Sequence, residues 1–131
     1  MPIISTELKT QSGYAVLRSV YQEPITVADA EKFMASVKRG APYEHHGQLI
    51  LGQVAGVSGE VRKVLSSEKA DPVNPQPVAM VMRSMVVRAV AALVARASGA
   101  TVEFFKDEAE ALQWLDPRMR TYEAKRKAAG R

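Results

Sequence analysis

The chain predicts an α/β fold: a single mixed, mostly parallel β-sheet with packed helices, in the order β-β-α-β-α-β-α-β-α. Three observations carry this expectation. Residues 78–115 read as strand, helix, strand and capped helix with almost no spare residues. Two short strands separated by a tight turn open the chain. Between them, segments of period near two and near 3.6 alternate, as right-handed βαβ crossovers require.

The elements follow in order. Residues 7–11 form the weaker opening strand and residues 14–21 the stronger, with Ser12-Gly13 as the turn. Pro24 ends the second strand. Thr26 caps the first helix with Asp29 three residues on, and Ala30, Phe33, Met34 and Val37 make one apolar stripe at i, i+3, i+4, i+7. Gly40 and Pro42 stop that helix. Residues 48–54 are the third strand. Ser58 caps a second helix with Val61, Val64 and Leu65 facing inward. The stretch Asp71-Pro72-Val73-Asn74-Pro75-Gln76-Pro77 is a rigid loop, because its prolines remove donors and clash with helical geometry. Val78-Ala79-Met80-Val81-Met82 is a continuous apolar run, expected of a strand buried on both faces. Residues 84–97 are apolar around most of a helix, which Gly99 ends. Thr101-Val102-Glu103-Phe104-Phe105 is the last strand. Asp107 then caps a helix over 108–115, with Glu110 in the N3 place of a capping box.

The bulk numbers set bounds. At 131 residues, 47% hydrophobic and 24% charged, the chain is an ordinary single domain with one core. Its apolar runs fall far short of the ~20 residues needed to cross a bilayer, so no membrane span is expected. Met-Pro-Ile-Ile-Ser-Thr-Glu lacks the pattern of a signal peptide. With no cysteine there is no disulfide, thiolate metal site or cysteine nucleophile, and a cytoplasmic location is the expectation. The net charge of +4 is unevenly spread: residues 1–117 hold 12 Lys+Arg against 13 Asp+Glu, residues 118–131 six against one. The expected division is a domain over 1–117 and a basic C-terminal tail over 118–131, dispensable for folding. The nearly neutral body disfavours nucleic acid as partner.

The element order, the strand at 78–82, and above all Val102-Glu103-Phe104-Phe105-Lys106-Asp107-Glu108-Ala109-Glu110-Ala111-Leu112-Gln113-Trp114-Leu115 resemble the SpoIIAA-like branch of STAS-type domains. The resemblance covers roughly residues 4–116. It implies a STAS-like fold and a small regulatory module without catalysis of its own. In the anti-sigma-antagonist members a serine at the start of the second helix is phosphorylated by a partner kinase. The matching position here is Ser58, in Gly56-Val57-Ser58-Gly59; those members carry aspartate where this chain has Val57.

Each candidate site has a plainer reading beside it. Ser58 suits phosphate at a helix N-terminus, and serine is also simply a good N-cap. Gly56-Val57-Ser58-Gly59-Glu60 misses the G-x-S-x-G nucleophile elbow at its fifth residue. The only histidines, His45 and His46, precede the strand that Ser58 follows, and six or so residues at ~3.3 Å put ~20 Å between base and serine. His45 and His46 with Glu44 are weak metal ligands, because adjacent loop histidines rarely meet one ion; a solvated loop is the plainer reading. Arg88 and Arg96, after Arg83, lie opposite Val86, Val90, Leu93 and Ala97, and read as a wet helix face or an anion surface. Met80, Met82 and Met85, with Met34 and Met119, read as core filling or as an apolar groove. The basic tail, with Tyr122 as its one aromatic, reads as a solvated helix extension or as a surface for nucleic acid or acidic lipid.

The resulting expectation is a non-catalytic STAS-like regulatory module acting through protein–protein binding, switched by phosphorylation at a helix N-terminus. The alternative is a carrier or sensor for a small apolar ligand or lipid. The expected partner-binding residues are Val57, Ser58, Gly59, Arg83 and Ser84. No cofactor and no metal are implied, an unknown protein is the expected partner, and a homodimer is compatible with the chain.

Overall fold

The computed structural model describes residues 3–22, 26–37, 41–52, 59–60, 63, 76–82, 88–89 and 101–130. Within them the order is β1 (Ile3–Lys9), β2 (Ala15–Tyr21), α1 (Val27–Val37), β3 (Gly47–Gly52), β4 (Pro77–Val81), β5 (Thr101–Phe105) and α2 (Glu108–Ala128). Gly59, Glu60 and Lys63 are helical, as are Arg88 and Ala89, where the sequence predicts the helices after β3 and β4. The rest of those two segments lies outside the described residues.

The strands form one five-stranded sheet in the order β1-β2-β3-β4-β5. β1 runs antiparallel to β2, in a register from Ile3 opposite Tyr21 to Lys9 opposite Ala15. The other pairings are parallel, which makes the mixed, mostly parallel sheet the sequence predicts. β1 starts earlier than the predicted 7–11, because β2 offers a bonding edge along its full length. The hairpin closes where Gly13 N donates to Thr10 O at 2.9 Å, with Gly13 at φ +90°, a conformation that suits glycine. β4 is interior, flanked by β3 and β5, and β3 holds the middle of the sheet.

The two faces of the sheet carry separate cores. Leu17, Tyr21, Ile50, Val78, Met80 and Met82 pack with Phe33 of α1. Val16, Leu49 and Ala79 pack with Ala111 and Leu115 of α2. The split follows from the pleat, since alternate residues of a strand point to opposite faces. α1 begins in a capping box: Asp29 N donates to Thr26 Oγ1 at 3.1 Å, and Thr26 N donates to Asp29 Oδ2 at 2.9 Å. At the start of α2, Glu110 N donates to Asp107 Oδ1 at 2.9 Å.

The end of the chain corrects the sequence expectation. The helix predicted over 108–115 continues to Ala128, with Pro117 inside it. Residues 118–128 are therefore helical but not a purely solvated extension without an apolar stripe. Ala111, Leu115, Met119 and Tyr122 stand at i, i+4, i+8 and i+11 and are all buried, so one apolar stripe runs through the proline. Met119 is 1% exposed. Pro117 costs the helix one hydrogen bond, but it sits on the exposed side, and the burial of Met119 and Tyr122 outweighs that loss. Gly47 accommodates the extended helix: a Cβ there would stand 2.9 Å from Met119 Sδ. Trp114 is half-buried. Its ring centroid is 5.6 Å from that of Phe105 and the Arg118 guanidinium lies 5.3 Å from it.

Candidate functional site

Open α/β sheets expose their binding groups past the carboxyl ends of the parallel strands. There Gly52 ends β3 opposite Tyr21 of β2. Met82 follows β4 and folds over the end of β3, so close that a Cβ on Gly52 would meet Met82 Cγ at 3.0 Å. Arg88 Nε donates to Met82 O at 2.7 Å, and its guanidinium is 6.0 Å from the centre of the Phe104 ring. A carbonyl just past the end of a strand needs a partner outside the ladder, and Arg88 supplies one. Arg88 is half-buried and clasps the strand end, which corrects its reading as part of a wet helix face. Burial pushes the Tyr21 hydroxyl pKa far above its ordinary value, so that phenol stays protonated at neutral pH.

Of the predicted partner-binding residues, Gly59 is described: it is helical and exposed, beside exposed Glu60. Val57, Ser58, Arg83 and Ser84 lie outside the described residues, as do Arg96 and Met85. Met80 and Met82 are buried in the core with Met34 packed against it, and Met119 is buried on the inner face of α2. The described methionines are core filling.

The amino ends of the strands are polar. The histidines part company there. His46 Nε2 shares a hydrogen bond with Glu7 Oε1 at 2.9 Å, and its ring stands edge-on to Tyr43. His45 Nδ1 shares one with the Tyr122 hydroxyl at 2.8 Å and its Nε2 is 3.5 Å from Glu44 Oε1. The pair therefore fastens the loop before β3 to β1 on one side and to α2 on the other. That corrects the solvated-loop reading. No metal cluster of three or more His, Cys, Asp or Glu side chains occurs among the described residues. A cleft of about 220 Å³ runs along Glu7, Leu8, Lys9, Ala15 and His46; it is smaller than the ~300 Å³ of ordinary ligand pockets and lined partly by charge. Beside it in the row of Leu17 and Val78, Gln48 is 5% exposed, and its side-chain amide has no partner among the described residues.

Three contacts made by α2 escaped the sequence reading. Asp116 accepts from Ser12 N at 2.9 Å and Ser12 Oγ at 2.8 Å, joining the β1–β2 turn to α2. Arg18 pairs with Glu108, joining β2 to the start of α2. Tyr122 reaches His45. Only the last left a signal, since Tyr122 continues the spacing of Leu115 and Met119.

No described helix is long and apolar enough to cross a membrane. The chain matches no protein-family model and no curated protein. Among solved structures it is similar to that of an uncharacterised protein of the DUF3478 family with a SpoIIAA-like fold from Shewanella loihica PV-4, at 2.25 Å resolution. The TM-score is 0.58 at 17% identity, over 86% of this chain and 93% of that one. At that identity the likeness is one of architecture: the chain has a SpoIIAA-like fold.

Proposed function

We propose that the protein is a non-catalytic STAS-like regulatory module that acts by binding another protein, with Ser58 as its switch. The observation that carries the reading is the SpoIIAA-like fold. An exposed helical Gly59 follows the carboxyl end of β3, the end where such sheets meet their ligands. Ser58 precedes Gly59 directly. Free N–H groups and the helix dipole favour a phosphate at such a position. Val57, Gly59, Arg83 and Ser84 border the proposed partner surface.

The test compares wild type, Ser58→Ala and Ser58→Asp as bait in a lysate of the native cells. Loss of the cap in Ser58→Ala costs about 1 kcal/mol, so the three proteins are compared below the melting point of the weakest. The expected result is a protein captured by wild type and Ser58→Ala and released by Ser58→Asp, with Ser58 phosphopeptides after incubation with lysate and ATP. Equal capture by all three, with no phosphate on Ser58, makes the serine a helix cap and nothing more.

A further inference from the structure

We propose that the protein forms a two-fold dimer through the free edge of β1, two copies of β1 pairing antiparallel about Thr6 so that their sheets join into one. This surface is separate from the Ser58 end of the sheet, and the inference does not rest on the switch.

β1 is an edge strand, with β2 on one side and no described strand on the other. Its register with β2 runs unbroken from Ile3 to Lys9, without a bulge, and it contains no proline. Bulges and prolines are two of the means of blunting an edge, and the charged side chains that are another stand only at its far end, Glu7 and Lys9. Residues 4–7 are exposed, and Ile4, at 46%, is the exposed large hydrophobic side chain among the described residues.

The backbone determines which groups face outward. Thr10 N donates to Tyr14 O at 2.9 Å, one step beyond the Lys9–Ala15 pair. Hydrogen-bonded and non-hydrogen-bonded pairs alternate along an antiparallel ladder. Ile4, Thr6 and Leu8 therefore spend their N–H and C=O groups on β2. Ile3, Ser5, Glu7 and Lys9 turn theirs to the free edge.

A second β1 fits this edge in one register best. With Thr6 opposite Thr6, Ile3 faces the second copy's Lys9 and Ser5 faces its Glu7. Every outward group on both strands then has a partner. Ile4 faces the second copy's Leu8 in a non-hydrogen-bonded pair, where side chains approach most closely. The dyad repeats that apolar contact, so the Ile4 of each copy is covered by the Leu8 of the other. A shift of two residues one way sets Glu7 against Glu7, like charge on like. The opposite shift sets Ser5 on the dyad and Ile4 against Thr6, without an apolar partner. Both shifts strand outward groups at the ends. A strand complementary to itself across a two-fold axis is the surface an isologous dimer needs, and strand addition at an edge supplies the main-chain bonds.

The chain has no cysteine, so a single introduced thiol reports the register. In Thr6→Cys the two thiols sit on the dyad, with Cα atoms at about 4.5 Å, within disulfide reach. In Lys9→Cys they lie about 20 Å apart along the paired strands. The expected results are a wild-type mass by light scattering of twice the 14.3 kDa chain, rapid cross-linking of Thr6→Cys under mild oxidation, and slow cross-linking of Lys9→Cys. Ile4→Lys shifts the protein to monomer with an unchanged far-ultraviolet circular dichroism spectrum. If Ile4→Lys does not fold, the two cysteine variants still read the register. A wild type that stays monomeric up to about 1 mM overturns the proposal. So does a dimer in which Lys9→Cys cross-links as readily as Thr6→Cys.

Discussion

Asp116 shows how one side chain ties the ends of this domain together. It sits midway along α2 and takes hydrogen bonds from the β1–β2 turn, more than a hundred residues earlier in the chain. The Thr10 hydroxyl, the Ser12 N–H and the Ser12 hydroxyl all donate to it, and Arg120 stands 3.8 Å away. These donors, Thr10 foremost, hold its carboxyl pKa below the ordinary 3.8. A lowered folded pKa means that the native state binds the anion better than the unfolded state does. The stabilisation is complete above 3.8 and is lost as the pH falls through the lowered folded value. Asp116→Asn should therefore melt below wild type at pH 7, and the gap should close in strong acid. Asp29 is shifted the same way by Thr26, so the variant keeps part of the wild-type acid sensitivity. Melts of both proteins across the acid range check this; a gap that stays constant with pH would show that the Asp116 charge is not what holds the turn.

At the scale of the element, α2 carries the strongest expectation. Its second half puts Met119 against Gly47 and Tyr122 against His45. Removing residues 118–131 takes both from the core, so the truncated chain should lose most of its stability or fail to fold. Met119→Ala isolates the packing term and should cost about 2–4 kcal/mol in urea denaturation. Lys125→Ala and Lys127→Ala, on the exposed side, should stay within about 0.5 kcal/mol. A truncated chain that melts like wild type would show that the end of α2 merely rests on the sheet. Reading 118–131 as a dispensable tail gave weight to Pro117 and to the charge density. The spacing Leu115, Met119, Tyr122 pointed to a helix, and burial decided between them. α1 and β3 to β5 were legible because caps and apolar runs are local signals. Pairings such as His46 with Glu7 were not, since the partners are 39 residues apart and meet only once strand register is set. Arg88 is a related case: its position on a helix could be read, but not that its side chain turns back to the Met82 carbonyl.

At the scale of the molecule, the sheet separates two surfaces. The proposed partner surface follows β3, the middle strand, at the carboxyl ends of the parallel ladder. The proposed dimer surface is the β1 edge, with β2 between it and β3. β2 is bonded on both sides along its length, and its Leu17 and Val16 are buried in the two cores. A close-packed interior resists deformation, so the two surfaces should act independently. Ile4→Lys should therefore capture the same partner as wild type, with equal affinity per chain in solution. Ser58→Asp should keep the wild-type mass. The double variant should be monomeric and partner-free, each effect equal to that of its single change, as expected of sites that share no neighbours. Light scattering and capture assays on all four proteins complete the cycle. If Ile4→Lys loses the partner while remaining folded, the two surfaces are one, and the partner reads the joined sheet of the dimer instead of a single chain.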